Sequence, residues 1–336
     1  TSGAAPRRIY LRLSEENGGL QMSGLMDLNF NDITGEMLKV ISDFDMEKGF
    51  AGAYNIREDT QCAGRQSSAN ITITPKTDKP GIDITVKPFT KGETVFIPAC
   101  VTHTAVDDLV YNDFYIGEGA DVVIVAGCGV HNEGEEDARH NGIHRFFLEP
   151  DSSVLYKEKH IGTGEGEGLK KIDPVTECFL KENSRLEMDT IQLGGVDRST
   201  RTTNAELGKN AKIIVRERIM TDHEEDAVTN FHVKLEGEDS GADLVSRSVA
   251  RGNSHQAFYS IVEGNNRCTG HSACDAIIAD NGKVDAQPAL NASNVDAELI
   301  HEAAIGKIAG EQIMKLCSLG LTKEQAEEKI IEGFLK

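Results

Sequence analysis

Three short stretches place a histidine three residues after a cysteine: Cys100 and His103, Cys128 and His131, and Cys268 and His271. The third continues to Cys274, so Cys, His and Cys recur at equal intervals in "CTGHSACDAII". Further on, His301 and Glu302 set an imidazole beside a carboxylate. Thiolate and imidazole suit zinc, copper and iron–sulfur clusters. The pattern is not that of a zinc finger, which needs a second closely spaced knuckle. On one straight strand Cys268 and Cys274 face the same side and His271 the other. All three converge only if a turn intervenes, and Gly270 could supply it. The competing role is burial, since free cysteine is among the most buried residue types. His131, His140 and His144 lie near the acidic run "NEGEED" and read either as metal ligands or as solvated loop residues. Cys62, Cys178 and Cys317 read as packing residues.

Familiar catalytic signatures are missing. The sequence has no G-x-x-x-x-G-K-[ST] phosphate loop, no G-x-S-x-G elbow and no H-E-x-x-H zinc motif. "GTGEGEG" at Gly162–Gly168 is glycine-rich, but Glu165 and Glu167 would repel phosphate. The chain is therefore not expected to hydrolyse ATP by itself. A β-solenoid enzyme acting on carbohydrate would need a pair of carboxylates at fixed separation, and acidic residues are too abundant to single one out.

The 336 residues carry 35 basic and 55 acidic side chains, a net charge of −20. Nucleic acid and anionic membrane surfaces need cationic patches and are poor partners for such a chain. No apolar run approaches the ~20 residues that cross a bilayer, and "TSGAAPRRIYLRL" lacks the long apolar stretch of a signal peptide. Seven scattered cysteines, an odd number, read as reduced thiols of a cytoplasmic protein. There is no Trp and aromatic residues are 5%, so the core must be aliphatic.

The elements that must position these residues fall into three regions. Residues 1–69 form an N-terminal region with one short helix, in which Met37, Leu38 and Ile41 recur at helical spacing and Thr34 can cap the start. Residues 70–292 alternate with period two in short runs such as "IDITVKP" and "ADVVIVAG". Similar segments start at Gly119, Ser152, Asn183, Asn210 and Gly241, each a turn residue, a small residue and then an apolar-rich strand. The starts lie 33, 31, 27 and 31 residues apart. That near-constant interval favours a solenoid of strands over a β-sandwich. Residues 293–336 read as helical. Leu299, Ala303, Ile308, Ile313 and Leu316 line one helix with His301 and Glu302 near its start, and Gly320 closes it. Thr322 and Gln325 make a capping box for a second, with Ala326, Ile330 and Phe334 on its stripe. The pair is read as a cap over the solenoid end or a docking element.

At these residues the chain resembles a known family. "RCTGHSACDAIIAD", then "AELIHEAAIGKIAGEQIMKLCSLGLTKEQAEEKIIEGFL", with "LVSRSVARGNSHQAFYSIVEG" upstream, resemble the C-terminal part of the SufB/SufD subunits of the Suf iron–sulfur assembly system. The resemblance implies a right-handed parallel β-helix with an N-terminal region and C-terminal helices. It implies a scaffold rather than an enzyme, which builds a transient [2Fe–2S] or [4Fe–4S] cluster and passes it to apo-protein acceptors. It also implies a SufC-type ABC ATPase docked on the C-terminal helices, and pairing with a second copy or a sister SufB/SufD subunit through the β-helices. His301 matches the family's "HEA" histidine, a proposed cluster ligand, and Glu302 follows it. The position read as the SufB-type ligand cysteine is Ala292 here. By the resemblance, Cys268, His271, Cys274, His301 and Glu302 are the expected ligand set, with Cys128 and His131 as secondary candidates. A purely structural partner of the ATPase, binding no cluster, is the alternative.

Overall fold

The computed structural model describes residues 28–45, 48–192 and 194–336. Its first element is helix α1 (Asp32–Ile41), which buries Met37, Leu38 and Ile41 as their spacing predicts. Asn31, not Thr34, is the N-cap: its side-chain oxygen accepts from the Thr34 backbone N–H. Thr34 thus sits inside the first turn, and the part of the helical reading before residue 28 lies outside the described residues.

Two antiparallel hairpins follow, β1 (Ala53–Glu58) with β2 (Gln61–Gln66) and β3 (Ile71–Pro75) with β4 (Gly81–Val86). The winding chain continues through β5 (Lys91–Val101), β6 (Asp107–Ile116), β7 (Asp121–His131), β8 (Ala138–Leu148) and β9 (Ser153–Thr163). Next come β10 (Lys170–Ile172) and β11 (Val175–Leu180), two halves of one strand interrupted at Pro174, which has no N–H to donate. Then come β12 (Arg185–Gln192), β13 (Arg198–Leu207), β14 (Lys212–Thr221), β15 (Asp226–Leu235), β16 (Ser240–Ala250), β17 (His255–Gly264), β18 (Cys268–Ile278), β19 (Lys283–Ala292) and β20 (Ala297–Gly306). Helices α2 (Gly310–Ser318) and α3 (Lys323–Phe334) come last.

Alternate strands belong to alternate sheets. One runs β2-β1-β5-β7-β9-β12-β14-β16-β18-β20 and the other β19-β17-β15-β13-β10-β8-β6-β4-β3. Apart from the two hairpins every pairing is parallel, which makes a mainly β solenoid of about 8 turns. The segments expected to repeat are β7, β9, β12, β14 and β16, consecutive neighbours in one sheet. Their interval is set at the turn before each strand. Gly119, Asp151, Asn183, Asn210 and Asp239 stack there with φ between 54° and 61°. That left-handed conformation favours Gly, Asn and Asp. Each N–H donates to the next coil, as from Asp151 to Glu182 and from Asn183 to Lys209, and Asn210 Nδ2 donates to Asn183 Oδ1 at 2.8 Å. The small residue that follows is buried, as with Ser152, Ser184 and Ser240.

The inward phase of the strands forms a continuous aliphatic core, including Val122, Val154, Leu186, Ile213 and Leu244, with Phe114 and Phe146 stacked at 4.4 Å. Helix α1 packs on the outer face of β5, β7 and β9. Gly127 and Gly129 of β7 permit this approach, since a Cβ there would lie 2.6 Å from Ile41 and 2.5 Å from Met37 Sδ.

The C-terminal reading needs a correction. Leu299, His301 and Ala303 do not start a helix; they lie in β20, in parallel register with β18. Helix α2 begins only at Gly310. Gly320, at φ +98°, and the Thr322–Gln325 capping box separate the two helices as the sequence suggests. Those helices do not seal the solenoid. No residue of α2 is buried, and the terminal strands β19 and β20 contain no buried residue.

Candidate functional site

The fold distributes the five C-terminal candidates over two faces. Strand β18 stays extended and pairs with β20 from Cys268 to Ile277, so no turn forms at Gly270. Cys268 and Cys274 are both buried on the inner face. Six residues at about 3.3 Å each keep them roughly 20 Å apart along the strand. His271 takes the outer face. Its Nδ1 lies 2.9 Å from Asp243 Oδ1 on β16, and its Nε2 lies 3.5 Å from Glu302 Oε2 on β20. Arg216 of β14 pairs with Asp243 from the other side. His271 and Glu302 are thus members of an outer ladder of alternating charge, away from the thiols.

Cys274 and His301 share the inner face. In the β18–β20 register Ser272 faces His301 and Cys274 faces Ala303, so the two side chains are diagonal neighbours on adjacent strands. Both ring nitrogens of His301 are buried, and among the described residues neither makes a hydrogen bond of good geometry, although the Ser272 backbone lies near enough to favour the charged ring. Burial pushes its pKa down, which favours the neutral ring with a free lone pair. Burial also pushes the Cys274 thiol up to about 12, with Glu217 and Asp275 adding to the effect. It carries a proton until a cation takes that proton's place. Ala292 also belongs to the terminal coil, paired with Gly264 at the end of β19.

A polar lane leads inward from Cys274. On the inner face of the same sheet the registers align Cys274 with Ser246, Ser246 with Glu217, Glu217 with Thr190 and Thr190 with Glu158. Ser246 Oγ donates to Glu217 Oε2 at 2.8 Å. Arg201 reaches across from β13 to Glu158 and, at 3.3 Å, to Glu217. Tyr156 donates to Glu158 at 2.7 Å and contacts His144 at 2.9 Å. Each of these side chains is buried. Burial would push Glu158 up, but His160 and Arg201 outweigh it and hold this carboxylate well below its ordinary range. Glu217 moves the other way, raised by burial.

Cys128 is buried and faces His160 across the β7–β9 ladder. The expected partner, His131, instead lies 3.0 Å from Thr163 at the strand end. His140 and His144 are buried inside the solenoid rather than solvated; His140 Nδ1 lies 3.0 Å from Asp108. Cys178 is buried, Cys317 is half-buried, and Cys62 is exposed rather than packed. The sequence reading missed Glu158, His160, Arg201 and Glu217. The signal was present: Glu158 and His160 continue the inward phase of Val154 and Tyr156, and Glu217 lies between Val215 and Ile219 in phase.

The sequence model of the SUF system FeS cluster assembly SufBD core domain matches residues 111–334, two thirds of the chain. Relatives named iron–sulfur cluster assembly SufBD family proteins occur in Archaeoglobus fulgidus, 29% identical over 228 residues, and Methanothermobacter thermautotrophicus, 28% over 223. Another, in Pyrococcus horikoshii, is 29% identical over 202 residues. These alignments cover 68%, 65% and 60% of this chain and 60%, 53% and 61% of the relatives. The chain therefore spans less than two thirds of each relative's length. On the domain match and the solenoid together, the chain belongs to the SufBD family of iron–sulfur cluster assembly proteins.

Proposed function

We propose that the chain is a scaffold subunit that assembles an iron–sulfur cluster at the open end of the solenoid and releases it to apo-protein acceptors. The observation that carries this reading is His301: an imidazole whose two buried nitrogens make no well-formed hydrogen bond, one diagonal step from the thiol of Cys274, in a terminal coil that no described residue covers. A buried polar group without a partner costs free energy, and an iron ion would supply the partner. Two donors do not complete a cluster. The exposed edges β19 and β20, with Leu290 and Ile305 37% and 41% exposed, are suited to meet a second copy or a sister subunit, which would bring the remaining donors. Cys268 lies too far along β18 to share the same iron within one chain. His271 and Glu302, on the outer face, are suited to hold iron on arrival rather than the finished cluster.

In this reading ATP hydrolysis falls to a SufC-type ATPase partner, in keeping with the lack of a phosphate-loop motif in this sequence. Helix α2 and the turn that ends it present Met314 and Leu319 to solvent, 66% and 74% exposed, and with α3 they form the docking element in this reading. Truncation after Gly320 should abolish capture of the ATPase while the far-ultraviolet spectrum stays β-rich. Equal capture by both chains places the contact elsewhere. For the cluster, anaerobic reconstitution with ferrous iron and sulfide should give visible absorbance that Cys274→Ser and His301→Ala each remove and Cys268→Ser retains. If both variants keep the absorbance, the alternative of a structural ATPase partner without a cluster gains the ground.

A further inference from the structure

Inside the solenoid, four to five ladder steps from β18, Cys128 Sγ, a Glu158 carboxylate oxygen and a His160 ring nitrogen all lie within 4.8 Å of one another. At about 4.8 Å per step this is roughly 20–24 Å from Cys274. All three side chains are buried. His160 has an unmet demand. Arg201 Nη2 lies 3.2 Å from its Nδ1, and a guanidinium can only donate, so Nδ1 accepts and the neutral ring carries its proton on Nε2. That Nε2 is fully buried and has no hydrogen-bond partner; Glu158 Oε1, at 3.3 Å, is poorly aligned to accept. One imidazole nitrogen, one thiol and one carboxylate are the donor types that first-row transition metals take.

We propose that Cys128, Glu158 and His160 bind one divalent first-row transition-metal ion, with the fourth position left open. Glu158 can serve while it keeps Tyr156 and Arg201, because its two oxygens offer about four lone-pair sites. The nearest cation is the obstacle, and its placement answers it. Arg201 also reaches Glu217, at 3.3 Å, so it retains a carboxylate when the ion takes over part of the charge of Glu158. When the ion binds Nε2, the ring proton moves to Nδ1, and Arg201 Nη2 must retreat from it. Binding releases the thiol proton of Cys128. The way in is a cavity beside the β1–β2 hairpin, lined by Asn55, Cys62, Arg65 and His140 near Cys128. This proposal does not depend on the cluster at the open end, and either can fail alone.

The test uses the full chain, stripped with chelator and titrated anaerobically with Co2+ as the probe. One equivalent should give a thiolate-to-cobalt charge-transfer band in the near ultraviolet. Cys274→Ser/His301→Ala should keep that band, Cys128→Ser should lose it, and His160→Gln should weaken binding beyond the ~10–100-fold that loss of a supporting partner costs. An unchanged band and stoichiometry in folded Cys128→Ser and His160→Gln overturns the proposal. If Cys128→Ser does not fold, X-ray absorption of the zinc-loaded Cys274→Ser/His301→Ala chain decides. One sulfur among nitrogen and oxygen neighbours supports the site; no sulfur, or no retained zinc, removes it.

Discussion

Strand β14 buries every second side chain from end to end, whereas β20, built on the same repeat and in the same sheet, buries none. The difference is one missing neighbour. Strand β14 has β12 on one side and β16 on the other, and β20 has only β18. The same contrast holds for the polar groups. In the middle, Arg201, Glu158, Glu217, Tyr156 and Ser246 satisfy one another away from water. At the end, neither ring nitrogen of His301 makes a hydrogen bond of good geometry among the described residues, and only the Ser272 backbone lies near enough to favour a charged ring. The middle closes most of its polar network within the monomer, with His160 Nε2 left over, and in the reading proposed above the end is a half-built site that a partner coil or an iron ion can complete.

The comparison breaks most sharply at Arg201. Arg201→Met removes the cation shared by two buried carboxylates and should cost about 3–5 kcal/mol, the usual cost of breaking a buried pair. Urea unfolding measures it, and a loss below about 1 kcal/mol would mean that water reaches this cluster.

Acid tests the same interior at Asp108. Burial would raise this carboxyl, but His140 and Arg57 outweigh it and hold it at about 2, below its ordinary 3.8. A depressed carboxylate stabilises above its unfolded pKa and loses that contribution as pH falls through the folded value. About 2 kcal/mol should therefore disappear between roughly pH 4 and pH 2, and Asp108→Asn should flatten that part of the stability curve. Tyr156→Phe, which strips Glu158 of one donor, should cost about 1–3 kcal/mol. The smallest effect belongs to the open end. Ile305→Ala should change monomer stability by less than ~1 kcal/mol, since the side chain is already 41% exposed. It should weaken self-association measured by sedimentation if β20 meets a second copy. A large monomer effect would show that the end is covered after all.

The regular part of this architecture was legible because its cause is local. Asn183 and Asn210 take left-handed turns, Ser184 and Ala211 fit the small space behind them, and the interval follows. Strand β20 was not legible. "AELIHEAAIG" is rich in helix formers, and only the register with β18, a long-range pairing, makes it extended. Glu158 and Glu217 escaped for the opposite reason: a charged residue reads as solvated, although the period-two phase put both inside. Cys274 and His301 were both singled out, but their neighbourhood, and the separation of His271 and Glu302 onto the outer face, came only with the pairing of β18 and β20.

The most direct test of the open-end site is pulsed electron paramagnetic resonance of the reduced, anaerobically reconstituted chain with 15N-labelled histidine. The cluster signal should carry a nitrogen coupling that shifts with the label and vanishes in His301→Ala. A cluster with no histidine coupling in the unaltered chain, or the same coupling in His301→Ala, would contradict the assignment of His301 to the iron.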